Sequence, residues 1–248
     1  MRNRYLIANW KMNLPPEGIS EYLGELSRAK KSDVAIVVAP PFPYLRDVAG
    51  AHSGIAAAAQ NCADQKLGAF TGEVSPWMLA ELGVKYAIVG HSERRSIYGE
   101  TDALLQRKLS AAIEAGVTPV LCVGEDLRVR EAGHVARHLA EQIRAVVSPA
   151  LDAAKEVIVA YEPIWAIGTG RNASGAMCAE TVAEIREALA RFWPARYRDD
   201  APILYGGSVT PDNISDLHAN GGIDGYLVGG ASLSSSKYLA LFEAMSAS

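Results

Sequence analysis

The sequence predicts an α/β fold, a single (β/α)8 barrel over residues 1–248, with eight parallel strands inside an outer ring of helices. Three observations carry that expectation. Eight short apolar runs recur at intervals of a few tens of residues, the size of a strand plus its crossover helix. The runs are continuous rather than alternating, as strands covered on both faces should be. No linker or low-complexity segment interrupts them, which favours a closed barrel over an open doubly wound sheet.

The strands are expected at "YLIAN" (5–9), "VAIVVAP" (34–40), "IAAAAQ" (55–60), "YAIVG" (86–90), "VTPVLCV" (117–123), "VIVAYE" (157–162), "ILYG" (203–206) and "GYLVG" (225–229). Between them the helices have readable ends. Ser75-Pro76 supplies an N-cap and a first-turn proline, and Gly83 closes that helix. Thr101 or Asp102 starts another that stops at Gly116, and Thr210-Pro211 opens a third.

With 24 Lys+Arg against 28 Asp+Glu and no charge block, nothing suggests a nucleic-acid footprint or a membrane-binding patch. No apolar run reaches spanning length and the N-terminal run is too short for a signal peptide, so a cytoplasmic location is expected. Cys62, Cys122 and Cys178, odd in number and without a C-x-x-C pair, fit reduced thiols.

In such barrels active sites gather at the C-terminal ends of the strands. That mouth would collect Asn9, Lys11, His91, Ser92, Glu93, Glu162, Gly206, Gly207, Ser208, Gly229 and Gly230. Glu162 is a lone carboxylate at the end of an apolar run, and Pro163 keeps its backbone extended. Such a carboxylate is either a base or an ordinary salt-bridge partner, and its neighbours decide. His91 would stand at a helix N-terminus, where the dipole favours neutral imidazole, and Lys11 could neutralise an anion or lie in solvent. "GGS" (206–208) and "VGG" (228–230) follow the seventh and eighth strands, where backbone N–H groups commonly cradle phosphate.

Other constellations are weaker. His134 and His138 have the spacing of a helical zinc pair, but the Glu of H-E-x-x-H is missing, so a solvated helix face is expected. A glycosidase pair of Glu93 and Glu162 would leave the basic and phosphate-cradling groups without a role. No Walker loop or G-x-G-x-x-G follows a strand.

Six segments, "ANWKMN" (8–13), "GAFTGEVS" (68–75), "IVGHSERR" (88–95), "YEPIWAIGTG" (161–170), "YGGSV" (205–209) and "IDGYLVGGASL" (223–233), closely resemble the motifs of the triosephosphate isomerase family, in its order and over nearly the whole chain. The resemblance implies a TIM barrel that interconverts dihydroxyacetone phosphate and glyceraldehyde 3-phosphate through an enediolate, in glycolysis and gluconeogenesis, without metal or cofactor. It implies Glu162 as base, neutral His91 as the group that polarises the carbonyl, and Lys11, oriented with Asn9, as the cation. Glu93 resembles the partner of Lys11, and Ser92 the residue that holds the base when the lid is open. The substrate's phosphate would rest on N–H groups of Gly168, Ser208, Gly229 and Gly230, with "PIWAIGTG" as the lid and Pro163, Ile164 and Trp165 as one hinge. Thr71 resembles the tip of a loop that completes the site of a second subunit, implying a homodimer in which Thr71 supports Asn9 and Lys11 of the neighbour.

Departures from the family pattern are few: "RNA" (171–173) at the second hinge, Ser234 where Lys is usual, and "CADQKLG" in the long loop. The rival readings are another phosphosugar barrel, such as an epimerase or an aldolase with Lys11 as Schiff-base amine, and a non-catalytic barrel, which should have lost Lys11, His91 or Glu162.

Overall fold

The computed structural model describes residues 3–29, 32–51, 54–167, 173–210 and 213–246. Its strands are β1 (Arg4–Asn9), β2 (Val34–Ala39), β3 (Ile55–Ala59), β4 (Tyr86–Val89), β5 (Thr118–Val123), β6 (Ile158–Tyr161), β7 (Ile203–Tyr205) and β8 (Gly225–Val228). They pair in parallel in sequence order and close as a barrel, with Asn9 beside Ala39 on one side of β1 and Tyr5 beside Gly225 on the other. The expected barrel is therefore present, each strand within a residue of its apolar run.

Outside the strands lie α1 (Ile19–Ser27), α2 (Leu45–Val48), α3 (Pro76–Glu81), α4 (Ser92–Ser96), α5 (Asp102–Glu114), α6 (Leu127–Glu131) and α7 (Val135–Ala145). The second half adds α8 (Ala150–Ala153), α9 (Gly175–Phe192), α10 (Tyr197–Asp200), α11 (Ile214–Asn220) and α12 (Ser235–Ser246). Among the described residues no helix is long and apolar enough to cross a membrane.

Alternation along the strands divides the apolar residues into two cores. Tyr5, Ile7, Val37, Ala39, Ala58, Ile88, Val120, Cys122, Ile158, Ala160, Leu204 and Leu227 fill the barrel interior. Leu6, Ala8, Val38, Val89, Leu121 and Val159 point outward and pack under the helices in the larger cluster. Both faces of each strand are dry, which explains the unbroken apolar runs.

The helices complete the outer layer with amphipathic faces. On α5 the spacing of Leu105, Leu109 and Ala112 puts all three against the barrel, and on α9 Cys178, Val182, Ile185 and Leu189 do the same. Ser75 caps α3 by accepting from the Trp77 N–H, with Pro76 in the first turn, and Thr101 caps α5 by accepting from Leu104. The helix expected to open at Thr210-Pro211 starts later, at Ile214. Asn213 Oδ1 accepts from the Thr210 N–H at 2.9 Å, closing a turn before the helix begins. Pro211 lies outside the described residues.

Two charge clusters, one buried and one partly exposed, support the segment after β4. Lys108 Nζ donates to Glu100 Oε1 at 2.6 Å and to Asn61 Oδ1 at 2.8 Å, and Arg94 Nε reaches the same Glu100 oxygen at 2.5 Å. Arg95 donates to the Gly90 and Cys122 carbonyls at 2.9 and 3.2 Å and to Asp102 at 2.6 Å. Together they clamp α4, the helix that begins with Ser92 and Glu93.

Candidate active site

At the C-terminal end of the barrel lies a cavity of about 410 Å³. It is lined by Asn9, Lys11, His91, Glu162, Gly206, Gly207, Ser208, Gly229 and Gly230, joined by apolar Ile167, Leu227 and Leu233. Strand register explains the gathering. Continuing each inward face past its last apolar residue reaches Asn9, Pro41, Gln60, Gly90, Gly124, Glu162, Gly206 and Gly229.

Glu162 is 2% exposed, a carboxylate in an almost dry setting. Oε2 accepts the Ser92 backbone N–H at 2.8 Å, and His91 Nε2 stands 2.9 Å from Oε1. The second approach lies outside hydrogen-bond angles, leaving Oε1 a buried acceptor without a formed bond. Gly206 provides the space, since a Cβ there would lie 3.0 Å from Glu162 Cγ. Ser92 therefore meets the carboxylate through its main chain rather than its hydroxyl.

His91 is the N-cap of α4, and its Nδ1 accepts the Glu93 N–H at 3.2 Å. A ring nitrogen that accepts carries no proton, so the imidazole is neutral and its hydrogen sits on Nε2, facing Glu162 and the cavity. The main-chain N–H of Glu93 thus fixes the tautomer.

Lys11 holds a left-handed backbone, φ 52°, a conformation a long side chain adopts only when its surroundings enforce it. Asn9 Oδ1 accepts from the Lys11 N–H at 3.0 Å, and Gln60 Nε2 donates to the Lys11 and Ala39 carbonyls, each at 2.8 Å. The ammonium meets Glu93 Oε1 at 2.5 Å. Gln60 is a positioning residue that sequence reasoning missed; its only signal is its place at the end of the third apolar run.

Gly206, Gly207, Gly229 and Gly230 add main chain to the cavity lining. A Cβ on Gly229 would stand 3.5 Å from Lys11 Cε, and one on Gly230 would meet nothing within 4 Å; both residues line the cavity. Ser208 Oγ is bonded to the Ala166 carbonyl at 2.9 Å, tying this lining to the segment after Glu162. Trp165 Nε1 donates to Glu125 Oε1 at 2.9 Å and the Ile164 N–H to the Glu125 carbonyl at 3.0 Å. Gly168, one of the expected phosphate contacts, lies outside the described residues, as do Arg171 and Asn172 of the second hinge.

A basic group, a buried carboxylate, a histidine and four glycines share one cavity, and the chain can be compared with known proteins. The family model described as triosephosphate isomerase matches residues 4–245. The chain belongs to the triosephosphate isomerase family. It is 43% identical to the triosephosphate isomerase of Stenotrophomonas maltophilia (strain K279a) over 251 aligned residues, covering 100% of both chains. It is 44% identical to that of Carboxydothermus hydrogenoformans over 246 residues, 97% of this chain and 98% of the relative. With that of Ralstonia nicotianae it shares 43% over 243 residues, again 97% and 98% of the two chains.

Not every residue singled out from the triosephosphate isomerase motifs enters the cavity. Thr71 is exposed in the loop before α3 and does not line it. His134 is exposed, and His138 Nε2 faces Gln142 Nε2 at 3.1 Å. Among the described residues no group of three His, Cys, Asp or Glu side chains is placed to hold a metal ion. All three cysteines are buried; burial pushes the Cys62 thiol up to about 12, and raises Cys122, which also faces Glu162, well above the usual 9.0.

Proposed function

We propose that this barrel, one domain over the whole chain, interconverts dihydroxyacetone phosphate and D-glyceraldehyde 3-phosphate, with Glu162 as the base. The observation that carries the reading is the pairing of a 2%-exposed carboxylate with a histidine at 2.9 Å, in a cavity that Gly206, Gly207, Gly229 and Gly230 also line. Isomerisation needs a proton removed from the carbon beside a carbonyl and returned to its neighbour. Glu162 Oε1, lacking a formed hydrogen bond, takes the proton. As the carbonyl oxygen becomes negative, His91 Nε2–H donates to it, and Lys11 lies across the cavity as the opposing charge. Proton return from Glu162 to the adjacent carbon, with His91 moving hydrogen between the two oxygens, completes the aldose or the ketose.

Each charge in this sequence has a protein group opposite it, so the steps call on no cofactor. The phosphate rests on Ser208, Gly229 and Gly230, with Gly168 from the lid. The Lys11–Glu93 contact of 2.5 Å argues against a Schiff-base aldolase, because an ion-paired ammonium is not a free amine nucleophile. Ile167, Leu227 and Leu233 keep water from the enediolate, which would otherwise lose its phosphate.

The same reading makes the chain a cytoplasmic homodimer. Leu67 and Phe70 precede Thr71 at 73% and 47% exposure, while Met12 after β1 and Ile97 and Tyr98 after α4 are exposed at 92%, 70% and 67%. Exposed apolar side chains of this size suit burial against a second copy, with Thr71 reaching the neighbour's Asn9 and Lys11. The test is turnover of glyceraldehyde 3-phosphate by purified, metal-free protein, coupled to glycerol-phosphate dehydrogenase and titrated with phosphoglycolate. Fast turnover with competitive inhibition is expected; folded protein without turnover would refute the assignment.

A further inference from the structure

Gln142 lies on α7, does not line the cavity, and takes no part in the steps above. Its side chain is buried, and both ends of its amide engage one residue. The Gly124 N–H donates to Gln142 Oε1 at 2.9 Å, and Gln142 Nε2 donates to the Gly124 carbonyl at 3.1 Å. Because a backbone N–H can only donate and a carbonyl can only accept, these two bonds fix which way the amide points. Nε2 also faces His138 Nε2 at 3.1 Å, and that ring nitrogen must then be the acceptor. The helix itself is anchored from outside, where Trp193 Nε1 donates to the Ile143 carbonyl at 3.0 Å.

What Gly124 touches gives the grip its consequence. A Cβ at Gly124 would stand 1.8 Å from the Glu162 carbonyl oxygen and 3.2 Å from its Cα, so the two main chains are in direct contact. On either side, the Glu162 N–H donates to the Val123 carbonyl at 2.8 Å and the Ile164 N–H to the Glu125 carbonyl at 3.0 Å. The residue that bears the carboxylate is therefore seated against Gly124 between two hydrogen bonds, and Gln142 holds Gly124 from the other side.

We propose that Gln142 is a positioning residue for Glu162, setting through Gly124 how far the carboxylate projects toward the substrate carbon; this rests on the reading of Glu162 as the base. The geometry requires the whole glutamine side chain. Asparagine is one methylene short of Gly124, leucine fills the space but leaves a buried N–H and C=O unpaired, and glutamate keeps the acceptor while losing the donor.

The test uses the full chain carrying Gln142→Leu, Gln142→Asn or Gln142→Glu. Folding is checked by circular dichroism, competent sites are counted by phosphoglycolate titration, and kinetics are measured with substrate deuterated at the transferred hydrogen. Per competent site, kcat should fall about tenfold in the leucine and asparagine variants and about threefold in the glutamate variant, with KM within about twofold, since sub-ångström misplacement of a base acts on the transition state. The deuterium isotope effect on kcat should rise, because proton removal becomes slower relative to the other steps. A merely structural role would lower the melting temperature or the number of competent sites while leaving kcat per site and the isotope effect at wild-type values, and that result overturns the proposal. Should the leucine variant not fold, Gln142→Glu decides between the same outcomes. An inactive wild-type chain would strike the assignment of the base, whereas an active wild type with unchanged variants strikes Gln142 alone.

Discussion

Replacing Glu162 by aspartate tests the site at its centre, because the structure says how far the carboxylate would move and what could follow it. The main chain at 162 cannot advance: its N–H is bonded to the Val123 carbonyl at 2.8 Å and its carbonyl presses on Gly124. The lost methylene therefore retracts the carboxylate by about one C–C bond, roughly 1.5 Å. That breaks the 2.8 Å bond from the Ser92 N–H and the 2.9 Å approach to His91 Nε2, and moves the base away from the substrate carbon by the same amount. Misplacement by about 1 Å costs on the order of 10²-fold, so kcat should fall by roughly 10²–10³, about 3–4 kcal/mol of transition-state stabilisation. The groups expected to hold the phosphate are untouched, so KM should change by no more than about threefold. The assay is the coupled turnover measurement at saturating glyceraldehyde 3-phosphate, with circular dichroism to show the fold is intact. Full activity in Glu162→Asp, or a loss confined to KM, would falsify the assignment of Glu162 as the base.

The other predictions concern stability and assembly. Lys108→Met should leave Glu100 buried with only Arg94 opposite it, costing about 3–5 kcal/mol and lowering Tm by about 10 °C in calorimetry; an unchanged Tm would show the buried pair to be dispensable. Burial raises Cys62 and Cys178 from the ordinary 9.0 to about 12, and Tyr205 from 10.0 to about 12, so the fold favours their neutral forms. Their contribution is complete below about pH 9 and is lost as pH rises toward 12, so urea unfolding should show stability declining between pH 9 and 11, and a flat profile would contradict this. Burial, and then the Arg4 guanidinium, hold His218 below its usual 6.5; its stabilising contribution is present above that value and lost as pH falls through the depressed one. Stability measured from pH 7 to 5 should therefore fall less steeply in His218→Gln than in the native chain. Thr71→Arg should yield monomers in sedimentation at micromolar concentration with strongly reduced turnover, and an active, undissociated variant would remove this loop from the dimer interface.

How much of this was legible in the sequence depends on whether a residue's role is local. Strand positions were readable because both faces are covered and the apolar runs are unbroken, and Glu162, His91 and Lys11 stood out as polar residues at the ends of such runs. Gln60 and Gln142 carried no such mark. Gln60 acts on Lys11, 49 positions away, and Gln142 on Gly124, 18 positions away; neither pairing leaves a local pattern, because closure of the barrel and the packing of α7 create the adjacency. The late start of α11 escaped notice for a different reason. Threonine followed by proline is a good helix opening, and the Thr210 carbonyl does accept from the Asn213 and Ile214 N–H groups, but regular helix begins only at Ile214. Ser92 was named as the residue that holds the base and does contact Glu162, but that it does so through its N–H was not legible, since any residue with an N–H in that position would serve.

The inward register also explains why so few of the mouth residues are chemical. Past the apolar layers the barrel presents Asn9, Pro41, Gln60, Gly90, Gly124, Glu162, Gly206 and Gly229, and four of these eight are glycine. Gly124 is forced by the main chain of Glu162 and Gly90 by its φ of 73° and by Leu105, Gly206 fits closely against the Glu162 side chain, and Gly229 stands in ordinary contact with Lys11. Two of the four thus clear space around the same carboxylate, one behind its backbone and one beside its Cγ. A charge in a nearly dry barrel end is expensive unless its surroundings both admit it and satisfy it. Here the glycines admit it, the Ser92 N–H satisfies one oxygen, and the other is left for the substrate's hydrogen, so the packing that tolerates Glu162 is the same packing that would make it a base.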